Sequence, residues 1–171
     1  MTITKLGKMV AMWAVLAAAF LVVSASGESK ARIVRLSDVQ GTVRFDRAAG
    51  NGFDKAFINL PVIESSRLMT GKDGRAEVEF EDGSTLRLAP NSEVDFVRLA
   101  LGDDGQKLST AQLVSGTVYA NLHPKSAREK SDQFLLNFGR ESVTVSEAAH
   151  FRVELADATA TMAVFLSLIH I

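Results

Sequence analysis

Imidazole is the side chain most ready to ligate metal or move protons near neutral pH, so the histidines come first. His123, His150 and His170 are scattered along the chain. No His-x-His or His-Glu-x-x-His spacing joins them, so the converging ligand set that a metal needs is missing. His150 falls on the outward phase of a strand pattern beside Arg152 and Glu154, which reads as an exposed histidine. Asp103-Asp104-Gly105 resembles half a calcium loop, but the remaining ligand spacing and the closing glutamate are absent, so it reads as a turn. Asp73-Gly74 and Asp82-Gly83 are also read as turns, because aspartate and glycine suit the backbone angles required there. Ser84 and Ser115 adjoin glycine without the Gly-x-Ser-x-Gly frame or a plausible base. Glu77 and Glu79 share one strand face and are read as solvated. No glycine-rich loop suited to phosphate appears. These residues assign no catalytic, cofactor-binding or metal site, and the expectation is a protein without enzymatic activity.

The elements that carry these residues follow from period-two patterning. From Leu68 to Val97 the alternation is clean: Ala76, Val78 and Phe80 point inward and Glu77, Glu79 and Glu81 outward. Leu86 and Leu88, then Val94 and Phe96, continue the inward set after breaks at Asp82-Gly83-Ser84 and Ala89-Pro90-Asn91. Such runs between turn residues predict half-buried antiparallel strands. A three-residue loop, Asp82-Gly83-Ser84, pairs Phe80 with Leu86, Val78 with Leu88 and Glu79 with Arg87. Further strands are expected from Ile33 to Leu36, Val39 to Phe45, Val118 to Leu122, Phe134 to Phe138, at Val143 and Val145, and from Ala149 to Leu155. Pro61 inside the apolar run Phe57–Ile63 marks an edge strand or a bend. The lost phase from Val97 to Leu101 marks a bulge or a strand leaving its sheet. Val39-Gln40-Gly41-Thr42-Val43 echoes Val114-Ser115-Gly116-Thr117-Val118. No segment beyond residue 27 keeps a helical period over three turns. The fold class expected is all-β, a compact antiparallel sandwich or short solenoid-like domain preceded by an N-terminal signal helix.

Composition narrows the setting. The chain has 171 residues, of which 47% are hydrophobic and none is cysteine. That removes disulfides, thiolate metal sites, cysteine nucleophiles and a lipoprotein acylation site. Lys5 and Lys8 precede an apolar run from Met9 to Val23, followed by the small residues Ser24-Ala25-Ser26-Gly27. This is the pattern of a secretory signal peptide over residues 1–26, with cleavage fitting after Ala25 or Ser26. An uncleaved signal anchor is the other reading, and membrane contact then runs only through this leader. Without Lys5 and Lys8 the chain keeps 17 basic against 20 acidic residues, a net charge of −3. A mildly acidic domain without a basic stripe is no nucleic-acid partner. The expected division is a linker and first strand over 27–38, a β-domain over 39–165, and a tail over 166–171. That tail, Leu166-Ser167-Leu168-Ile169-His170-Ile171, is apolar almost throughout and reads as a non-native or truncated end.

Several pieces, in order, resemble the FecR-type periplasmic domain. They are Leu68–Thr70, Ala76-Glu77-Val78-Glu79-Phe80, Asp82-Gly83-Ser84-Thr85-Leu86-Arg87-Leu88 and Pro90-Asn91-Ser92-Glu93-Val94. Gly41-Thr42-Val43 upstream, Leu113 to Val118 and Phe151-Arg152-Val153 downstream fit the same order, so the likeness runs from about Val39 to Phe165. It implies an exported β-domain that senses the state of an envelope partner, in namesake members linked to sigma-factor control. Here only eight residues precede the apolar run, and Ala149-His150 stands where Gly-Thr is usual. The resemblance therefore implies the module and its periplasmic location rather than sigma-factor control. Two functional classes stay open. One is a protein-interaction or sensing module whose strand edges accept a partner segment. The other is a binder of envelope polymer or glycan on a shallow face, for which Tyr119 is the only tyrosine and Trp13 lies in the leader.

Overall fold

Alternating burial turns each patterned run into a strand with one dry face. A computed structural model describes residues 32–103, 105–124, 132–157 and 159–167. The expected signal peptide, Asp104, His170 and the last four residues of the tail lie outside them. The strands are β1 (Val34–Gln40), β2 (Val43–Asp46), β3 (Asp54–Lys55), β4 (Pro61–Val62), β5 (Arg67–Thr70), β6 (Arg75–Glu79) and β7 (Thr85–Leu88). They continue with β8 (Glu93–Leu101), β9 (Lys107–Leu122), β10 (Gln133–Phe138), β11 (Glu141–Val145), β12 (Ala149–Ala156) and β13 (Thr159–Ser167). The described residues contain no helix, so the all-β expectation holds there.

The strands form one hydrogen-bonded network curled into a half-barrel rather than two separate sheets. Its two wings share β9. In the first wing the order is β4-β1-β6-β7-β9-β12-β13, using β9 from Gly116 onward. In the second it is β3-β2-β5-β8-β9-β10-β11, using β9 up to Ser115. One pairing departs from the expected antiparallel pattern: β10 runs parallel to β9, with Phe134 beside Ser109 and Phe138 beside Leu113. The inner faces meet in one core that includes Leu36, Phe45, Leu68, Leu86, Phe96, Leu113, Leu136 and Phe151. Each such side chain stabilises the fold by about 2 kcal/mol relative to exposure. Phe80 meets Phe134 edge to face across the wings, with ring centroids 5.5 Å apart.

Chain passage between the wings happens along one line of corners. The β1–β2 corner at Gly41-Thr42, the β5–β6 corner at Gly71–Gly74, the β7–β8 corner at Ala89–Ser92 and the bend of β9 at Gly116 stack in that order. Gly71 N–H donates to Thr42 O (2.8 Å), Asn91 N–H to Gly71 O (3.0 Å) and Ala89 N–H to Thr117 O (3.0 Å). Thr70 Oγ1 donates to Ala89 O at 2.6 Å and accepts from Ser92 N–H at 2.9 Å. Ser92 Oγ accepts from Thr117 N–H at 2.9 Å. The sequence echo thus has a physical basis. Gly41 (φ +63°) and Gly116 (φ +84°) both turn the chain from one wing into the other.

The β6–β7 hairpin corrects the expected register by two residues. Val78 lies opposite Leu86, Ala76 opposite Leu88 and Glu77 opposite Arg87. The loop does have three residues, but they are Glu81-Asp82-Gly83, closed by Phe80 N–H to Ser84 O (2.9 Å). The third loop residue takes the left-handed conformation, which Gly83 adopts at φ +83°; the expected loop would force Ser84 there. A slip of two keeps every side chain on its face, so burial alone cannot distinguish the registers. The inward Ser84 that results is buried, and its Oγ accepts from His123 N–H at 2.8 Å. Elsewhere Pro61 does sit on an edge strand, and β8 carries a bulge between Phe96 and Arg98.

Candidate functional site

Outward positions of the first wing line up into a polar row across five strands. Asp38 faces Glu77, Glu77 faces Arg87, Arg87 faces Tyr119, and Tyr119 faces Arg152. Ser37 Oγ donates to Glu77 Oε1 at 2.7 Å, and Arg87 Nε donates to the other oxygen. Burial pushes the Glu77 carboxyl up, but these hydrogen bonds outweigh it and hold the group below its ordinary range. Glu79 pairs with Arg35 at 2.5 Å and Arg152 with Glu154 at 2.8 Å. The expected solvated Glu77 and Glu79 are therefore half-buried and ion-paired, because neighbouring strands bring guanidinium groups beside them. Tyr119 is 37% exposed. Beside it lies a surface hollow of about 340 Å³, lined by Asp38, Gln40, Arg75, Arg87, Pro90 and Tyr119 among others.

The far rim of the same wing is β13. It has nine residues, Thr-Ala-Thr-Met-Ala-Val-Phe-Leu-Ser, without charge or proline. Phe151 and Val153 on β12 are fully buried, yet Val164, opposite Phe151 on the inward phase, is 47% exposed. The core stops being covered between these two strands. Phe165 is the extra residue at a register shift between His150 and Phe151, and its ring lies 5.1 Å from that of His150. Among the described residues β13 pairs only with β12.

Two further polar clusters escaped sequence reading. Glu81 accepts from Arg32 Nε (2.6 Å), Arg32 Nη2 (2.8 Å) and Ile33 N–H (2.9 Å), and the Arg32 side chain is only 3% exposed. On the second wing, Asp46 accepts from Arg67 Nη2 at 2.6 Å, and Arg67 faces Asp95 across the β5–β8 ladder. The Arg67 hydrogen bond, helped by Ala48 N–H, holds the Asp46 carboxyl low, whereas burial raises that of Asp95. Nothing in the local sequence links these partners, since they are neighbours only across strands.

Two of the three histidines, His123 and His150, lie among the described residues. His123 and His150 are exposed, and no group of three or more His, Asp or Glu able to hold a metal gathers among the described residues. Asp103 stands in a turn, and Gly105 N–H donates to Gly102 O at 3.0 Å. Asp73-Gly74 is the β5–β6 corner, Asp82-Gly83 the β6–β7 loop, and Ser115 is exposed at the bend of β9. Against known proteins, the family model described as FecR protein matches residues 66–168, more than half of the chain. No curated protein and no solved structure matches.

Proposed function

The chain belongs to the FecR protein family, and from that premise we propose that it is a non-enzymatic sensing module of the bacterial cell envelope. It is exported to the periplasm by the leader over residues 1–26 and receives the segment of a partner protein on the outer edge of β13, which pairs with no second strand among the described residues. The observation that carries this reading is the contrast between the four outer strands. β3 and β4 have two residues each, and β11 is a five-residue strand headed by Glu141. Short, charged or proline-bearing edges repel added strands, whereas a long uncharged one invites them. Only β13 is of the second kind among the described residues. A partner strand laid on it would take up main-chain hydrogen bonds and cover Val164, as strand addition does elsewhere.

The test uses the absence of native cysteine. Single cysteines at Ala163 on β13 and, as control, at Thr144 on β11 carry a photo-crosslinker in the full chain expressed in its own envelope. The expected result is one discrete protein adduct from position 163, none from 144, and loss of that adduct on Val164→Lys with an unchanged unfolding transition. Equal labelling from both positions, or retention of the chain only on peptidoglycan sacculi, would overturn the reading.

A further inference from the structure

We propose that the outer face of the first wing binds an uncharged oligosaccharide, with the Tyr119 ring as its platform. The face is part of the sheet interior: β7, β9 and β12 are each hydrogen-bonded on both sides along this stretch. It therefore has no free backbone edge for an added strand, and its ligand must be read by side chains.

Charge narrows the class. Glu77, Glu79 and Glu154 are each held by a guanidinium, from Arg87, Arg35 and Arg152. Charges paired off in this way give little net field to gather a polyanion or a polycation. The planar ions still present free edges: a guanidinium has five N–H donors, and a carboxylate has about four acceptor sites. Sugar hydroxyls both donate and accept, so they match such a surface, while a purely apolar ligand would leave these groups unsatisfied.

Shape and aromatic placement fit the same class. The hollow of about 340 Å³ beside Tyr119 opens to the surface, with Gln40 and Arg75 among its polar lining. Among the described residues the Tyr119 hydroxyl has no hydrogen-bond partner, and the ring stands between Arg87 and Arg152 in the row. An amphipathic ring of this kind accepts the C–H face of a pyranose while its hydroxyl meets a polar group. On the same face, with His150 on the adjacent β12 and Phe165 on β13 beyond it, the His150–Phe165 ring pair offers a second stacking position for a longer chain.

The Tyr119 platform is a different surface from the β13 edge and shares with that strand only the exposed Phe165, so either reading can fail alone. The test is an amide chemical-shift titration of the full chain, kept soluble in a zwitterionic detergent. The probes are cellotetraose and tetra-N-acetylchitotetraose, with tetragalacturonate as the anionic comparator. A saturable shift from at least one neutral probe is expected at residues 38–40, 75–77, 85–89 and 117–121, and none from the comparator. Tyr119→Ala should weaken binding about tenfold or more, and Tyr119→Phe should retain most of it. The spectrum away from the site reports that each variant is folded. No saturable shift at about 10 mM of either neutral probe, shifts mapping elsewhere, preference for the anionic probe, or indifference to Tyr119→Ala would overturn it.

Discussion

The buried pair of Arg32 and Glu81 ties the entry of the domain to its central hairpin, and Arg32 Nη1 also reaches Ala100 O, Leu108 O and Ser109 Oγ, each at 3.3 Å. Removing one partner leaves a buried charge unmatched, so Glu81→Gln should destabilise by about 3 kcal/mol in urea unfolding at neutral pH. The sign with pH follows from the carboxyl. Burial raises it, but the Arg32 and Ile33 donors outweigh burial and hold it below the ordinary 4.5. A lowered folded value contributes stability above the ordinary value and loses it as pH falls through the lowered one. The difference between Glu81→Gln and the parent should therefore shrink in acid; a gap independent of pH would refute the assignment. Asp95 behaves in the opposite sense. Burial raises its carboxyl, against the opposing charge of Arg67, and its Oδ1 is buried without a partner. Its ionised form costs stability above the raised value, and that cost fades as pH drops. Asp95→Asn should raise the urea midpoint at neutral pH and change it little in strong acid.

Elements in this fold are joined at corners, and corner glycines are not equivalent. A Cβ on Gly116 would lie 2.4 Å from Asn91 O and 2.4 Å from Ser92 Oγ, in addition to the strain of a φ of +84°. At Gly83 the same φ region faces open space. Gly116→Ala should cost about 3 kcal/mol or more, since the stacked corner must shift, and Gly83→Ala about 1–2 kcal/mol from backbone strain alone. Paired urea curves on the two variants check this, and equal losses would show that the stack yields freely. Thr70 and Ser92 satisfy the corner's backbone groups with their hydroxyls. The residues that carry the family likeness, among them Thr70, Asn91-Ser92 and Gly116, thus build corners, while Pro90 also lines the hollow beside Tyr119.

At the scale of the molecule, β9 is the spine. It lends one half to each wing and pairs with four strands: the antiparallel β7, β8 and β12, and the parallel β10. Amides of β9 at Leu113, Val118 and Ala120 are flanked by fully buried side chains on strands paired on both sides. Amide hydrogen exchange should be slowest there, near the global unfolding limit, and much faster in β3, β4 and β13, which have one neighbour each. Uniform protection across these strands would mean that the rims are covered.

Alternation of apolar and polar residues determined the strands, the dry face of each and most of the turns, because a strand's side chains can point only two ways. Turn chemistry likewise marked Asp82-Gly83 as a turn and Pro61 as an edge or bend, whereas the strand expected from Val39 to Phe45 is broken at Gly41-Thr42, where the chain changes wing. What that pattern leaves undetermined is which strand lies beside which, since a shift of two residues or a swap of neighbours preserves every face. Tertiary structure decided the Glu77–Arg87 register, the parallel β10, the Arg32–Glu81 clamp and the row that sets Tyr119 between two arginines. Each depends on pairing between residues far apart in the chain, fixed only when the backbone of both wings must satisfy its hydrogen bonds around one core.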